Sequence, residues 1–172
     1  MITVEFIKQI ITSSKFQELQ KIGGCYKYHN EGSAFVHSLL VMQESFAFWG
    51  NNSHNSPMNV IALLHDIGKI YTGRQKENGD WEYPNHCKVG AEHLLEFLPE
   101  ELVDNEWFIR NANFYISNHI KPLFWKEYPD ASCENKNLAR LAICDLRGSY
   151  PCVEEKENQE KKIAFLQRFL EL

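Results

Sequence analysis

The stretch Ala62-Leu63-Leu64-His65-Asp66-Ile67-Gly68-Lys69 decides how this chain is read. The apolar run over residues 60–64 marks a buried helix, and that helix delivers an imidazole and a carboxylate side by side. Adjacent helical residues point about 100° apart, so both reach one ion only near a helix end or kink. Gly68 is expected to supply that break as a C-cap with positive φ. Lys69 then sets a cation beside the pair. A histidine, an aspartate and a lysine grouped at the end of a buried helix read as part of a metal centre for phosphate chemistry.

Helical spacing surrounds this stretch on both sides. Residues 3–20 carry Phe6, Ile7, Ile10, Ile11 and Leu19 near the 3.6-residue period, with Thr3 as the expected N-cap. Ser33 caps a second helix over 34–49, whose apolar residues cover most of its surface, so it is expected to be central. A polar loop over 50–56 follows, and Pro57 fits the first turn of the helix that ends in the opening stretch. Asn78-Gly79-Asp80, before Trp81-Glu82-Tyr83, predicts a small β-hairpin. Further helices are expected over 86–98, 101–119, 134–146 and 153–172, with an aromatic loop over 121–130. The expected architecture is all-α: a compact helical bundle forming one domain over residues 1–172, with one hairpin between the His-Asp helix and the next.

Composition narrows the function. With 172 residues, 44% of them hydrophobic and 24% charged, the chain is long enough to bury a core without covalent staples. No apolar run approaches the ~20 residues of a membrane span, and no signal-peptide pattern opens the chain, so no membrane partner and a cytoplasmic location are expected. Five cysteines form no C-x-x-C pair, which argues against a disulfide framework or a zinc ribbon. Cys87, beside His86, could serve as a ligand but reads first as a reduced thiol. A net charge of −5 without a long basic run argues against gripping duplex nucleic acid, while leaving a small nucleotide or a strand end open.

Six side chains of ligand type lie on or at the ends of expected helices among apolar neighbours: His37, His65, Asp66, His86, His119 and Asp145. Taken singly, His37 on an apolar face reads as a satisfied core histidine, and His86 and His119 as capping or surface residues. Buried aspartates carry a large desolvation cost unless a cation or strong hydrogen bonds compensate them. Convergence on metal is the simplest reconciliation. Mixed His and Asp ligands suit Mn, Fe, Co, Ni or Zn better than an all-oxygen magnesium or calcium cage.

In order, His37 … His65-Asp66 … Asp145 resembles the HD superfamily of metal-dependent phosphohydrolases, which are all-helical. The similarity extends to Tyr28-His29-Asn30-Glu31-Gly32 … His37-Ser38-Leu39-Leu40-Val41-Met42, and to His65-Asp66-Ile67-Gly68-Lys69 … Tyr71-Thr72. It continues through His86-Cys87-Lys88-Val89-Gly90-Ala91-Glu92, Asn118-His119 and Cys144-Asp145-Leu146-Arg147-Gly148. All resemble the HD domains of bacterial tRNA nucleotidyltransferases, over residues 26–149. The resemblance implies that His37, His65, Asp66 and Asp145 hold a first divalent ion. It further implies that Asp66 bridges to a second ion held with His86 and His119. Asn118 stands where two-metal relatives often carry a histidine, so one or two ions are open at this point. Lys69 is expected to meet substrate phosphate, acting with Asp66 in catalysis; His29, Lys88 and Arg147 are expected to wall the pocket.

The expected function is a divalent-metal-dependent phosphohydrolase on nucleotide or RNA-terminal phosphoesters, of the 2′,3′-cyclic phosphodiesterase, 2′-nucleotidase or phosphatase type. The second reading, a 5′-nucleotidase or (d)NTP triphosphohydrolase, is disfavoured by Lys69, because that branch tends to carry an acidic residue after the His-Asp pair. Ile120-Lys121-Pro122 after His119 disfavours a cyclic-dinucleotide phosphodiesterase. A nucleotide-binding HD protein without turnover ranks last.

Overall fold

A computed structural model describes residues 4–25, 27–50 and 56–172. The expected Thr3 cap, Tyr26, and most of the polar loop before Pro57, His54 included, lie outside the described residues. The fold class is the expected one: helices dominate, and a single two-stranded antiparallel hairpin is present among the described residues.

The chain opens with α1 (Val4–Thr12), α2 (Ser14–Gln17) and a 3₁₀ turn, Glu18–Lys21. One helix was expected over 3–20, but Ser13 takes extended dihedrals and its hydroxyl accepts the Phe16 N–H, starting a new helix. The central helix α3 (Ala34–Trp49) is capped as expected, with Ser33 accepting from Val36 N–H. Next come α4 (Ser56–Leu64) and the helical turn α5 (Lys69–Thr72). The hairpin pairs β1 (Arg74–Gln75) with β2 (Trp81–Glu82), and Gly79 provides the positive φ its turn needs.

Two expected helices are each divided. Over 86–98, α6 (His86–Glu92) stops where His93 leaves helical dihedrals, its ring stacked on Tyr71 and its Nδ1 2.6 Å from the Glu96 carboxylate. A 3₁₀ turn, Leu94–Phe97, follows. Over 101–119, α7 (Glu100–Val103) and α8 (Glu106–Asn118) are separated because Asn105 caps the second, accepting the Phe108 N–H at 3.0 Å. Then come a 3₁₀ turn at Lys121–Phe124, α9 (Cys133–Gly148) and α10 (Val153–Leu170). Among the described residues no helix is long and apolar enough to cross a membrane.

Helix α3 packs on α4 and on α9, α6 on α8, and α9 on α10. Their shared core includes Val41, Val60, Ile61, Leu63, Leu64, Phe108, Ile116 and Leu141, all but solvent-free. Two glycines set the closest approaches. A Cβ on Gly148 would lie 2.7 Å from the Val41 side chain and 2.9 Å from its backbone nitrogen. That contact falls one turn from Asp145 on α9 and one turn from His37 on α3, so it holds those two side chains face to face.

Gly68 does the same between the His-Asp segment and α6, and here the expectation is corrected. Its φ is −63°, an ordinary right-handed helical value, so it is no positive-φ cap. It is glycine because a Cβ would meet the His86 carbonyl oxygen at 1.9 Å and the Gly90 nitrogen at 2.5 Å. Helix α4 ends at Leu64, and turn residues carry the chain through His65 and Asp66 before α5 begins. The break that lets both side chains face one point is therefore this turn.

Candidate metal centre

Four imidazoles and two carboxylates converge at the buried junction of α3, α4, α6, α8 and α9. His37, His65, Asp66, His119 and Asp145 are all buried, and His86 is nearly so. Around Asp66 Oδ2 stand His65 Nε2 at 3.3 Å and His37 Nε2 at 3.5 Å, while Asp145 Oδ1 lies 3.0 Å from His37 Nε2 and 3.8 Å from His65 Nε2. Around the other oxygen, Asp66 Oδ1, stand His86 Nε2 at 3.3 Å and His119 Nε2 at 3.6 Å. One carboxylate thus faces two histidine pairs, one with each oxygen.

These spacings fit ligands better than hydrogen bonds. Donor atoms about 2.0–2.2 Å from one ion stand roughly 3.0–3.5 Å from each other. The Nε2 atoms of His37 and His65 are buried without an aligned hydrogen-bond partner, despite the carboxylates beside them. An unpartnered buried nitrogen is costly, and a cation between the ring and the carboxylates would remove that cost. The residues present therefore fit a divalent ion at each face of Asp66.

The histidines are also held in the tautomer that ligation needs. His65 Nδ1 donates to the Ala62 carbonyl at 2.7 Å, His86 Nδ1 to Tyr83 at 2.9 Å and His119 Nδ1 to Ile116 at 2.8 Å. A carbonyl only accepts, so each Nδ1 keeps its proton and each Nε2 is the atom available to an ion. His37 Nδ1 lies instead 2.8 Å from Glu31 Oε1. Glu31 was quoted above only as part of a motif, yet its buried carboxylate accepts from His29 Nδ1 at 2.8 Å and from the Tyr150 N–H at 3.0 Å. Its position before Gly32 gave no local sign of burial; the His29-x-Glu31 spacing was the available signal.

Charge follows the same layout. Burial pushes the Asp66 and Asp145 carboxyls up, but Lys69 and His65 beside the first, and His37 beside the second, hold both well below the usual range. Burial lowers His65 and His29. It also works against charge on His37 and His86, yet Asp145 and Glu31 raise the first to about 9, and Asp66 and Cys87 raise the second to about 9. Asp66 and Cys87 likewise carry His119 well above its ordinary value.

A pH dependence follows. In metal-free protein the carboxylates and thiol beside His37, His86 and His119 favour their protonated rings, and ligation must displace those protons. Filling both faces is expected to release about three protons, and affinity to rise between pH 6 and pH 9. Calorimetric titration in buffers of different ionisation heat checks this, and a proton count of zero would contradict it. The sign for folding is opposite. The stability these raised imidazoles contribute is complete below pH 6.5 and lost as pH climbs through 9.

The remaining expected site residues divide. Lys69 is 6% exposed, with Nζ 2.5 Å from Asp66 Oδ2 and 4.9 Å from the Tyr83 ring centroid. His29 comes to the site, its ring 4.7 Å from that of His37. Lys88 does not: its side chain is 80% exposed, 3.9 Å from Glu92 on the outer face of α6. Arg147 is exposed and outside the cavity lining. That cavity, of about 380 Å³, opens beside Asp145 and His29 and is walled by Tyr28, Phe124, Asn158 and Gln159 among others. Cys87, read as a plain thiol, lies 3.5 Å from His86 Nε2 and 3.9 Å from His119 Nε2. Burial raises that thiol, but the two imidazoles outweigh it and draw it down to about 6.

Comparison with known proteins agrees with this geometry. A family model described as "HD domain" matches residues 35–145, a span that runs from α3 to Asp145. Over 58 residues the chain is 36% identical to the multifunctional CCA protein of Pasteurella multocida (strain Pm70), a match covering 33% of this chain and 14% of that protein. No solved structure matches.

Proposed function

Since the chain belongs to the HD domain family, whose members are metal-dependent phosphohydrolases, we propose that it hydrolyses nucleotide or RNA-terminal phosphoesters with the help of bound divalent ions. The observation that carries this reading is the placement of Asp66: one buried carboxylate presents Oδ2 to His37 and His65 and Oδ1 to His86 and His119. His37, His65, Asp66 and Asp145 would hold one ion, and Asp66, His86 and His119 a second. Bound there, a divalent transition metal supplies Lewis acidity toward phosphoryl oxygens and hydroxide near neutral pH.

The protein's own groups do the rest. Lys69, fixed at the rim of the carboxylate pair, neutralises charge developing on the phosphoryl oxygens, and does so in a water-poor setting where that interaction is strong. Glu31 orients the His37 and His29 rings. The cavity beside Asp145 is of the size and mixed character that takes a nucleoside. In it the exposed ring of Phe124 offers a face for a base, while the amide nitrogens of Asn158 and Gln159 on the same wall are held by Glu155 and by the Leu146 and Ser149 carbonyls. Duplex nucleic acid is not proposed as a substrate, because the site is a buried pocket in an acidic chain.

The test is a panel of 2′,3′-cyclic nucleotides, 2′-, 3′- and 5′-monophosphates and triphosphates, under Mn, Co, Ni and Zn in turn. Release of phosphate or opening of a cyclic diester supports the proposal; triphosphate release would place the chain in the triphosphohydrolase class. Lys69→Met is expected to lower kcat/KM by roughly 10²–10³-fold while metal stoichiometry stays unchanged. An unaltered kcat/KM would remove Lys69 from the reaction.

A further inference from the structure

The second face of Asp66 has one more donor than the family resemblance supplied. We propose that Cys87 Sγ would join His86 Nε2, His119 Nε2 and Asp66 Oδ1 in holding the second ion. The inference rests on the bimetallic reading above and adds to it the class of cation: borderline-soft and thiophilic, such as zinc, ferrous or cobaltous ion.

Geometry carries the proposal. Around a tetrahedral ion with bonds of about 2.3 Å to sulfur and 2.0 Å to nitrogen, sulfur and nitrogen stand about 3.5 Å apart. Cys87 Sγ is 3.5 Å from His86 Nε2 and 3.9 Å from His119 Nε2. The two nitrogens lie 3.3 and 3.6 Å from Asp66 Oδ1. His86, Cys87 and His119 each present one ligand atom, and all three atoms lie within 4.8 Å of one another. Adjacent residues seldom share a target, but here α6 begins at His86, and the bond from its Nδ1 to the Tyr83 carbonyl fixes its ring. Cys144 belongs to the hydrophobic core, whereas Cys87 is buried against two imidazoles.

A consequence follows for the two faces of Asp66, which differ in hardness. The first offers nitrogen and oxygen only, from His37, His65, Asp66 and Asp145. The second includes sulfur. Manganese is therefore expected to fill the first alone, and zinc or cobalt to fill both.

Titration of the chelator-treated 172-residue protein with cobalt(II), followed by absorption, tests this. The second equivalent is expected to bring a near-ultraviolet thiolate-to-cobalt charge-transfer band. Cys87→Ser should abolish that band and weaken the second equivalent at least ten-fold, by the scale of supporting-ligand losses. Cys25→Ser and Cys152→Ser should keep it. Zinc-edge X-ray absorption of the unsubstituted protein needs no variant, and should show a sulfur scatterer at about 2.3 Å. Two equivalents bound without a charge-transfer band, or a band that survives Cys87→Ser, overturns the assignment of Cys87 alone. Failure to bind cobalt at all overturns the bimetallic reading with it.

Discussion

Asp66→Asn is expected to abolish hydrolysis, lowering kcat/KM by at least ~10³-fold, and to remove both ions together. The substitution keeps the volume and takes away one charge. That charge serves two directions, since Oδ2 faces His37 and His65 while Oδ1 faces His86 and His119. A ligand to one ion only would leave the other in place when replaced. Metal analysis after gel filtration distinguishes the cases, and a variant that still carries one full equivalent would show that Asp66 is no bridge. Asp145→Asn gives the contrast, because its carboxylate lies 3.0 Å from His37 and 3.8 Å from His65, the first face's own histidines. It is expected to empty the first face and spare the second.

The same change is costly before any metal binds. Lys69 is buried with its ammonium against Asp66, and removing one partner of a buried pair leaves the other uncompensated, typically at about 3–5 kcal/mol. The metal-free variant should therefore unfold at lower denaturant concentration than metal-free wild type. Loss of activity with unchanged metal-free stability would mean that Lys69 finds another counter-ion, such as the Glu31 carboxylate that lines the same small cleft beside His37.

Much of this was legible because charged residues in apolar surroundings have few reasons to be there. His37, His65, Asp66 and Asp145 stood out on that ground before their order suggested a family, and Ser33 and Asn78-Gly79 announced their cap and turn by local chemistry alone. The missed features share a different cause. Glu31 is buried only once His37 and the Tyr150 backbone close over it, and the His29-x-Glu31 spacing was its one local sign. Cys87 acquires its meaning only when α8 brings His119 beside it. The divisions at His93 and Asn105 come from side chains that capture local partners in place of continuing an apolar stripe. Lys88 and Arg147 were placed by motif similarity, and a motif position on an exposed helix face does not ensure that a long side chain turns inward.

Gly68→Ala is the substitution where local and tertiary effects oppose most sharply. Local rules favour alanine. Gly68 precedes α5 with right-handed dihedrals that alanine adopts without strain, so alanine would restrict the unfolded chain for a gain of ~0.4–1 kcal/mol. The tertiary contact decides otherwise. A Cβ at 1.9 Å from the His86 carbonyl and 2.5 Å from the Gly90 nitrogen meets backbone, which has no rotamer to yield, so α6 must move away. The net result is expected to be destabilisation beyond the ~1–3 kcal/mol of ordinary overpacking. Displacement of α6 carries His86 and Cys87 with it, so the second metal equivalent should weaken more than the first. Gly79→Ala is the control. It lies at φ +84° with nothing within 4 Å, so it should cost only about 1 kcal/mol of backbone strain and leave metal binding intact. Equal effects from the two substitutions, read by thermal melting and metal analysis, would mean that backbone conformation and not close approach selects glycine at position 68. A Gly68→Ala protein that melts higher than wild type would mean that α6 yields freely, and that the second histidine pair is not held against Asp66 by this contact.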